Sequence, residues 1–280
     1  MGSGSWSDAA FRTVSSARTD KSEREVFSAR TMHEAVDPVK VVVRESRDSA
    51  DHPDSHAVIV GFDDTGSMGG IPTYFAKEGL GNFMADLLKK KPVPDPQLLV
   101  AAVGDSTCDR YPLQVGQFES DNRIDEWLTK IVLEGGGGDE PESYGLLHHF
   151  AATRTSVDCF EKRGRKGFLF SVGDETAHET MRASEIRRVF GDAQAEDVKL
   201  ADAVAAAQRL YEVIHVVVNP AGGPPRREIV AWWRKYLGQN VLVLDDYKAL
   251  AELRTATIAV RHGMTAEAAT AGFGAAATAL

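Results

Sequence analysis

Apolar residues along this chain change period repeatedly, and the changes mark out its elements. Residues 57–62 and 167–172 are short apolar runs of the kind that form strands buried on both faces. Residues 97–104, 213–218 and 241–244 read the same way, and 113–118 alternates like a shorter strand. Between them the spacing is helical. Residues 71–91 carry Tyr74, Phe75, Leu80, Phe83, Met84, Leu87 and Leu88 until Pro92, Pro94 and Pro96 break the pattern. Residues 123–133 place Ile124, Trp127, Leu128 and Ile131 on one face before a four-glycine run stops them. Further helices are predicted at 142–155, 184–190, 199–210, 225–237 and 247–261. Alternating strand and helix predicts an α/β fold: a doubly wound, mostly parallel central sheet with helices on both faces.

The flanks have a different texture. Residues 1–37 are rich in Ser, Ala, Arg and Glu with sparse apolar positions, which predicts a flexible arm with a helix near 21–32. Residues 38–53 hold the β-branched run Val39 to Val43, an expected edge strand, followed by a polar linker. The main domain is expected over 54–262. Residues 263–280 are rich in Ala, Gly and Thr and are expected to be disordered.

The two clearest strands both end on acids. The first runs Val58-Ile59-Val60-Gly61-Phe62-Asp63 and continues Asp64-Thr65-Gly66-Ser67-Met68. Residues two apart can point the same way at a strand end, so Asp63, Thr65 and Ser67 can offer three oxygens to one hard cation. The second runs Phe168-Leu169-Phe170-Ser171-Val172-Gly173-Asp174. A doubly wound sheet binds ligands beyond the carboxyl ends of its strands, where the strand order reverses. Both acids sit at such ends. Asp63, Thr65 and Ser67 also suit a helix N-cap, which is the competing structural explanation of that run.

The first run resembles the D-x-S-x-S loop of the von Willebrand factor A (vWA) family, with Thr65 in place of the first serine. Gly135-Gly136-Gly137-Gly138-Asp139-Glu140-Pro141-Glu142 looks like the G-G-G-D-x-P-E variant of the family's second loop. Asp174 followed by His178 is similar to the G-D-x-x-x-H pattern of hemicentin-like and alpha-kinase-associated members. The resemblance covers residues 54–262 and implies a metal-ion-dependent adhesion site. By analogy, Asp63, Thr65, Ser67, Asp139 and Asp174 would hold Mg²⁺ (or Mn²⁺ or Ca²⁺), with a partner's acidic group completing the shell. Many family members carry Thr where Asp139 stands. A third acid against one divalent charge weakens the pull on an incoming carboxylate. Glu142 is expected in the first turn of the following helix, Asp64 as a solvated or backbone-bonded side chain, and His178 either as a loop histidine bonded to backbone or as a hydrogen-bond partner of Asp174 or the rim of the metal site. The function implied is a non-enzymatic protein–protein interaction module, with no catalytic residue assigned.

Composition narrows the alternatives. A net charge of −9 over 280 residues disfavours nucleic acid and anionic membranes as partners. Two cysteines, Cys108 and Cys159, do not make a disulfide framework. No run approaches the ~18 apolar residues of a membrane span, and the start of the sequence has no signal-peptide pattern, so a cytoplasmic protein is expected. A metal-dependent phosphohydrolase of the D-x-D type lacks its second acid, because Thr65 stands there. A P-loop is excluded by the acids that follow the glycine run. A scaffold with the vWA fold and no metal remains the other reading. Trp232-Trp233 predicts one ring in the core and one on a helix face. His148 and His149 are neighbours on one helix and cannot both face inward.

Overall fold

In the computed structural model, residues 4–136 and 141–274 are described. Among these residues ten strands run β1 Arg44–Ser46, β2 Ser55–Asp63, β3 Asp95–Val103, β4 Leu113–Val115, β5 Thr155–Val157, β6 Gly167–Gly173, β7 Thr180–Met181, β8 Val198–Lys199, β9 Tyr211–Val218 and β10 Val241–Leu244. The helices are α1 Asp8–Arg18, α2 Glu23–Val26, α3 Ile71–Tyr74, α4 Leu80–Lys90, α5 Arg123–Lys130, α6 Tyr144–Thr153, α7 Asp158–Glu161, α8 Ala183–Phe190, α9 Leu200–Leu210, α10 Arg227–Leu237, α11 Leu250–Arg261 and α12 Ala266–Thr270.

Six strands form the central sheet in the order β10-β9-β6-β2-β3-β4. All neighbours are parallel except β4, which runs antiparallel to β3. The chain moves outward from β2 in one direction and returns to start β6 on its other side, so the order reverses between β2 and β6. Successive residues of each strand enter two different cores. Ile59, Leu99, Leu169 and Val213 pack with Leu146, Phe150, Ile186, Val204 and Trp233 of α6, α8, α9 and α10. Val60, Val100, Phe170 and Val216 pack with Phe83, Leu87, Ile124, Leu128 and Leu253 of α4, α5 and α11. Burial on both faces explains why β2 and β6 read as unbroken apolar runs.

The helix predicted over 71–91 is continuous in space but widens into a π turn over Phe75–Gly79 between α3 and α4. It ends at Lys91, whose left-handed backbone (φ 48°) precedes Pro92. Helix α6 starts at Tyr144, so Glu142 lies ahead of it and not in its first turn.

The flanks differ from the sequence expectation. The β-branched run Val39 to Val43 forms no strand, and Val42 is 83% exposed. Strand β1 lies just beyond it and pairs in parallel with β5. β-propensity needs a partner backbone, and here the partner lies alongside Arg44-Glu45-Ser46. Within residues 1–37 the main helix is α1, and 21–32 holds only the single turn α2. Ser7 caps α1 by accepting from the Ala10 amide, and the buried Phe11 lies against Gly81, whose missing side chain leaves room for the ring. Arg18 forms a buried ion pair with Asp125 and also donates to the Ala76 carbonyl. At the other end, Ala269 of α12 packs with Ala256 and Ala259 of α11. No helix among the described residues is long and apolar enough to cross a membrane.

Charges tie the segment after β1 to α7. Arg163 holds Asp48 at 2.9 Å, Lys162 holds Asp158 at 2.7 Å, and Arg47 reaches Asp158 at 2.8 Å. The Arg163 guanidinium, with help from Ser55 and Lys162, holds the Asp48 carboxyl far below the usual carboxylate range. A carboxyl depressed on folding stabilises the fold above its unfolded pKa, about 4, and that stability is lost as pH falls toward the folded value. Asp48→Asn should therefore cost on the order of 1 kcal/mol at pH 7, because solvent screens part of the network. Urea unfolding at pH 7, 4 and 2.5 should show the gap from wild type narrowing at each step down.

Candidate functional site

Strand β2 delivers Asp63 to the carboxyl edge of the sheet with no exposure to water. The chain then folds back on that carboxylate. The Thr65 amide and hydroxyl donate to Asp63 Oδ1 at 2.9 and 2.5 Å. The Thr65 and Ser67 hydroxyls lie 3.2 Å apart, and Ser67 donates to Asp174 Oδ1 at 2.9 Å. Four of the five residues proposed from sequence are thus joined in one chain of oxygens at the point where strand order reverses. The fifth, Asp139, lies outside the described residues. Asp63 and Thr65 are buried, Asp174 is half-buried and Ser67 is exposed, so the group opens to solvent on the Ser67 side. No N-cap bond from the Thr65 side chain forms, and the turn after it is a short 3₁₀ turn, Gly66–Met68, pinned by the buried Met68.

Two glycines make the geometry possible. The Gly66 amide donates to the Gly136 carbonyl at 2.7 Å, which ties the first loop to the second. A Cβ on Gly66 would sit 3.0 Å from the Gly135 carbonyl oxygen. A Cβ on Gly173 would sit 1.7 Å from the Tyr144 hydroxyl. That hydroxyl passes over Gly173 and donates to Asp63 Oδ2. Tyr144 is itself fully buried, edge-on to His215 and Trp233.

Acids crowd this edge. Burial, and then the charge of Asp174, push Asp63 up to about 6 against the bonds from Thr65 and Tyr144. Asp64, expected as solvated or backbone-bonded, is 4% exposed, and its Oδ2 has no partner among the described residues. Burial and the neighbouring Asp63, Asp109 and Glu134 push its carboxyl well up. Glu142 was not assigned to the site from sequence, yet it is 2% exposed with its carboxylate beside Thr65. Burial and the charges of Asp63, Asp105 and Asp109 raise it to about 9, and its Oε2 has no partner among the described residues. No local signal marks it, since Pro141 suits a helix start at Glu142 as sequence reasoning expected. The strand-like bridge of Glu142 to Ala177 then turns its side chain inward.

His178 does not reach Asp174. Its Nε2 lies 2.7 Å from Asp105 Oδ1 at the end of β3, where Asp105 also accepts from the Thr107 amide and the Cys108 thiol. The bond ties the third loop to the loop after β3. Arg226 lies on the rim, donating to the Asp174 carbonyl at 3.0 Å and pairing with Glu175. Cys108 and Cys159 form no disulfide with each other. Trp233 is fully buried and donates to the Glu175 carbonyl at 2.9 Å, while Trp232 packs on Tyr236 at the helix surface. His148 is buried, and His149 is half-buried against Phe190.

Among the described residues, no three His, Cys, Asp or Glu side chains are grouped to hold a metal ion. A cation at this edge would therefore rely on hydroxyls as well as carboxylates. The donor set suits a hard divalent ion, being all oxygen. The unpartnered Glu142 and Asp64 oxygens are what an uncompensated negative site leaves behind.

No family model matches the sequence, and no curated relative matches it. Solved structures do match. The pilus adhesin SpaC from Lactobacillus rhamnosus GG, in its open conformation, is similar with a TM-score of 0.51 and 10% identity. That match covers 78% of this chain but 31% of the adhesin, so the chain spans about a third of its length. A von Willebrand factor type A structure from Catenulispora acidiphila matches at TM-score 0.43 and 15% identity, over 75% of this chain and 43% of that one. The conserved hypothetical protein BatB from Bacteroides thetaiotaomicron matches at TM-score 0.42 and 12% identity, over 75% of this chain and 100% of BatB. At such identities the likeness is one of fold alone, and it rests on the adhesin.

Tyr144→Phe keeps the ring in the core and removes the donor from Asp63. The loss should be about 1.5–3 kcal/mol, the range for a hydrogen bond to a buried charged group. Urea unfolding with unchanged near-ultraviolet circular dichroism would show it. A loss below about 0.5 kcal/mol would mean that Asp63 does not depend on this bond.

Proposed function

We propose that this chain is a non-enzymatic, vWA-like interaction module that binds a protein partner through a divalent cation. The observation that carries the reading is the continuous path of oxygens from Asp63 through Thr65 and Ser67 to Asp174 at the switch point of the sheet. Asp63, Thr65, Ser67 and Asp174 would hold Mg²⁺ (or Mn²⁺ or Ca²⁺), joined by Asp139 from the second loop. Glu142 joins this set as a candidate, since its carboxylate already touches Thr65. The cation would offset the negative charge gathered at this edge and present an open position on the exposed Ser67 side. A partner's acidic group is the ligand such a position takes. SpaC, which shares the fold, is a pilus adhesin, and this supports an interaction role for a fold of this kind. The module is assigned to residues 54–262, with 1–37, 38–53 and 263–280 as flanks, in a cytoplasmic protein.

Thermal unfolding in EDTA and then in excess Mg²⁺ or Mn²⁺ tests this, for wild type and Asp63→Ala. At about 100 times the dissociation constant, a ligand specific to the folded state stabilises by about 2.7 kcal/mol. For a chain of this size the rise is on the order of 5–10 °C. Wild type should show the rise and Asp63→Ala should not. No rise in wild type would leave the metal-free scaffold. Metal-dependent hydrolysis of a generic phosphate ester, lost in Asp63→Ala, would replace the module by an enzyme.

A further inference from the structure

The opposite edge of the sheet has the opposite electrical character. Strands β2, β6 and β9 begin there, and His56 lies about 23 Å along β2 from Asp63. A cleft of about 420 Å³ opens between the starts of β6 and β9 and the end of α11, lined by Arg165, Lys166, Phe168, Glu212, Arg261 and His262. Three cations face it and one carboxylate. Arg165 is shared with Asp54 outside the cleft, at 2.9 Å. Lys166 and Arg261 make no ion pair among the described residues, and Arg261 bonds instead to the neutral side chain of Asn240. Both are exposed. On a chain of net charge −9 this is a local reversal of sign.

A second observation points into the same cleft. His56 is fully buried; neither ring nitrogen makes a well-aligned hydrogen bond among the described residues, and the acceptor it approaches is the Lys166 backbone. Its ring lies edge-on to His262 at 5.0 Å and 5.7 Å from Phe168, so it backs directly on two lining residues. Buried polar atoms are nearly always satisfied by protein, water or ligand. The His56 ring, with only that backbone contact, lies behind Phe168 and His262, so the cationic residues of the cleft, Arg165, Lys166 and Arg261, are the ones that can meet an oxyanion. The size is that of a small-molecule site.

We propose that this cleft binds a phosphate group, with Lys166 and Arg261 as its principal ligands and Arg165 behind them. The guanidinium groups suit paired phosphate oxygens, and the ammonium acts as a point charge. Glu212 on the wall disfavours a fully ionised polyanion and leaves room for a single phosphate, free or as a monoester.

Isothermal titration of the full chain with inorganic phosphate and with phenyl phosphate tests this, in EDTA and at ionic strength matched with chloride. EDTA separates this site from any metal at the far edge. Wild type should bind phosphate, and the Lys166→Ala/Arg261→Ala double variant should bind at least tenfold more weakly. Lys89→Ala, an exposed cation elsewhere, should bind as wild type does. Tighter binding of phenyl phosphate assigns a monoester, and equal binding assigns the free ion. No binding beyond the chloride control, or equal weakening in Lys89→Ala, overturns the proposal. Should the double variant unfold, Lys166→Ala and Arg261→Ala singly must each weaken binding, and unchanged affinity in both overturns it as well.

Discussion

A carboxylate with no access to water stands at the end of the central strand, and the surrounding loops are arranged around it. Asp63 can stay buried only because donors converge on both of its oxygens: the Thr65 amide and hydroxyl on one, the Tyr144 hydroxyl on the other. An ionised group without such bonds would be expelled or neutralised. The Thr65 bonds set the turn that brings Ser67 toward Asp174. The Tyr144 bond fixes where α6 begins and forbids a side chain at residue 173. One buried charge thereby couples the ends of β2 and β6 to the start of α6.

The strands and most helices were legible because their signal is local. Apolar runs of β2 and β6, and the helical spacing of Phe83, Met84 and Leu87, reflect burial that each segment carries in its own residues. The flanks were not legible for the same reason. Phe11 is the one buried apolar residue of α1, and it packs against Gly81, seventy positions away. Val39 to Val43 has strand-like residues but no partner backbone.

The candidate site divides along the same line. The first and third loops were visible as motifs, since spacing alone puts Asp63, Thr65 and Ser67 within reach of one another, and Asp139 of the second lies outside the described residues. Glu142 was not, because its inward turn depends on pairing with residue 177. His178 was expected on backbone, on Asp174 or on the site's rim, and its ring meets Asp105. Asp105 lies just past β3, two strands from β6, and the contact is made between loops beyond the strand ends, which sequence distance does not show. Tyr144 gave no sign at all, since a tyrosine at a helix start reads as core.

The π turn at Phe75–Gly79 follows from a mismatch in winding. Ile71, Phe75, Gly79, Phe83 and Leu87 recur every four residues, as do Pro72, Ala76, Leu80 and Met84, and nearly all face the second core. A regular α-helix turns every 3.6 residues, so a four-residue stripe slides around its surface by about 40° per repeat. Over four repeats the lag exceeds a whole residue. The wide turn takes up one residue of it at a single place, and both ends of the helix keep the same face to the sheet. The start of the helix that follows the first loop is therefore phased to α4 through that turn, and Ile71 stays in the same core as Phe83 and Leu87.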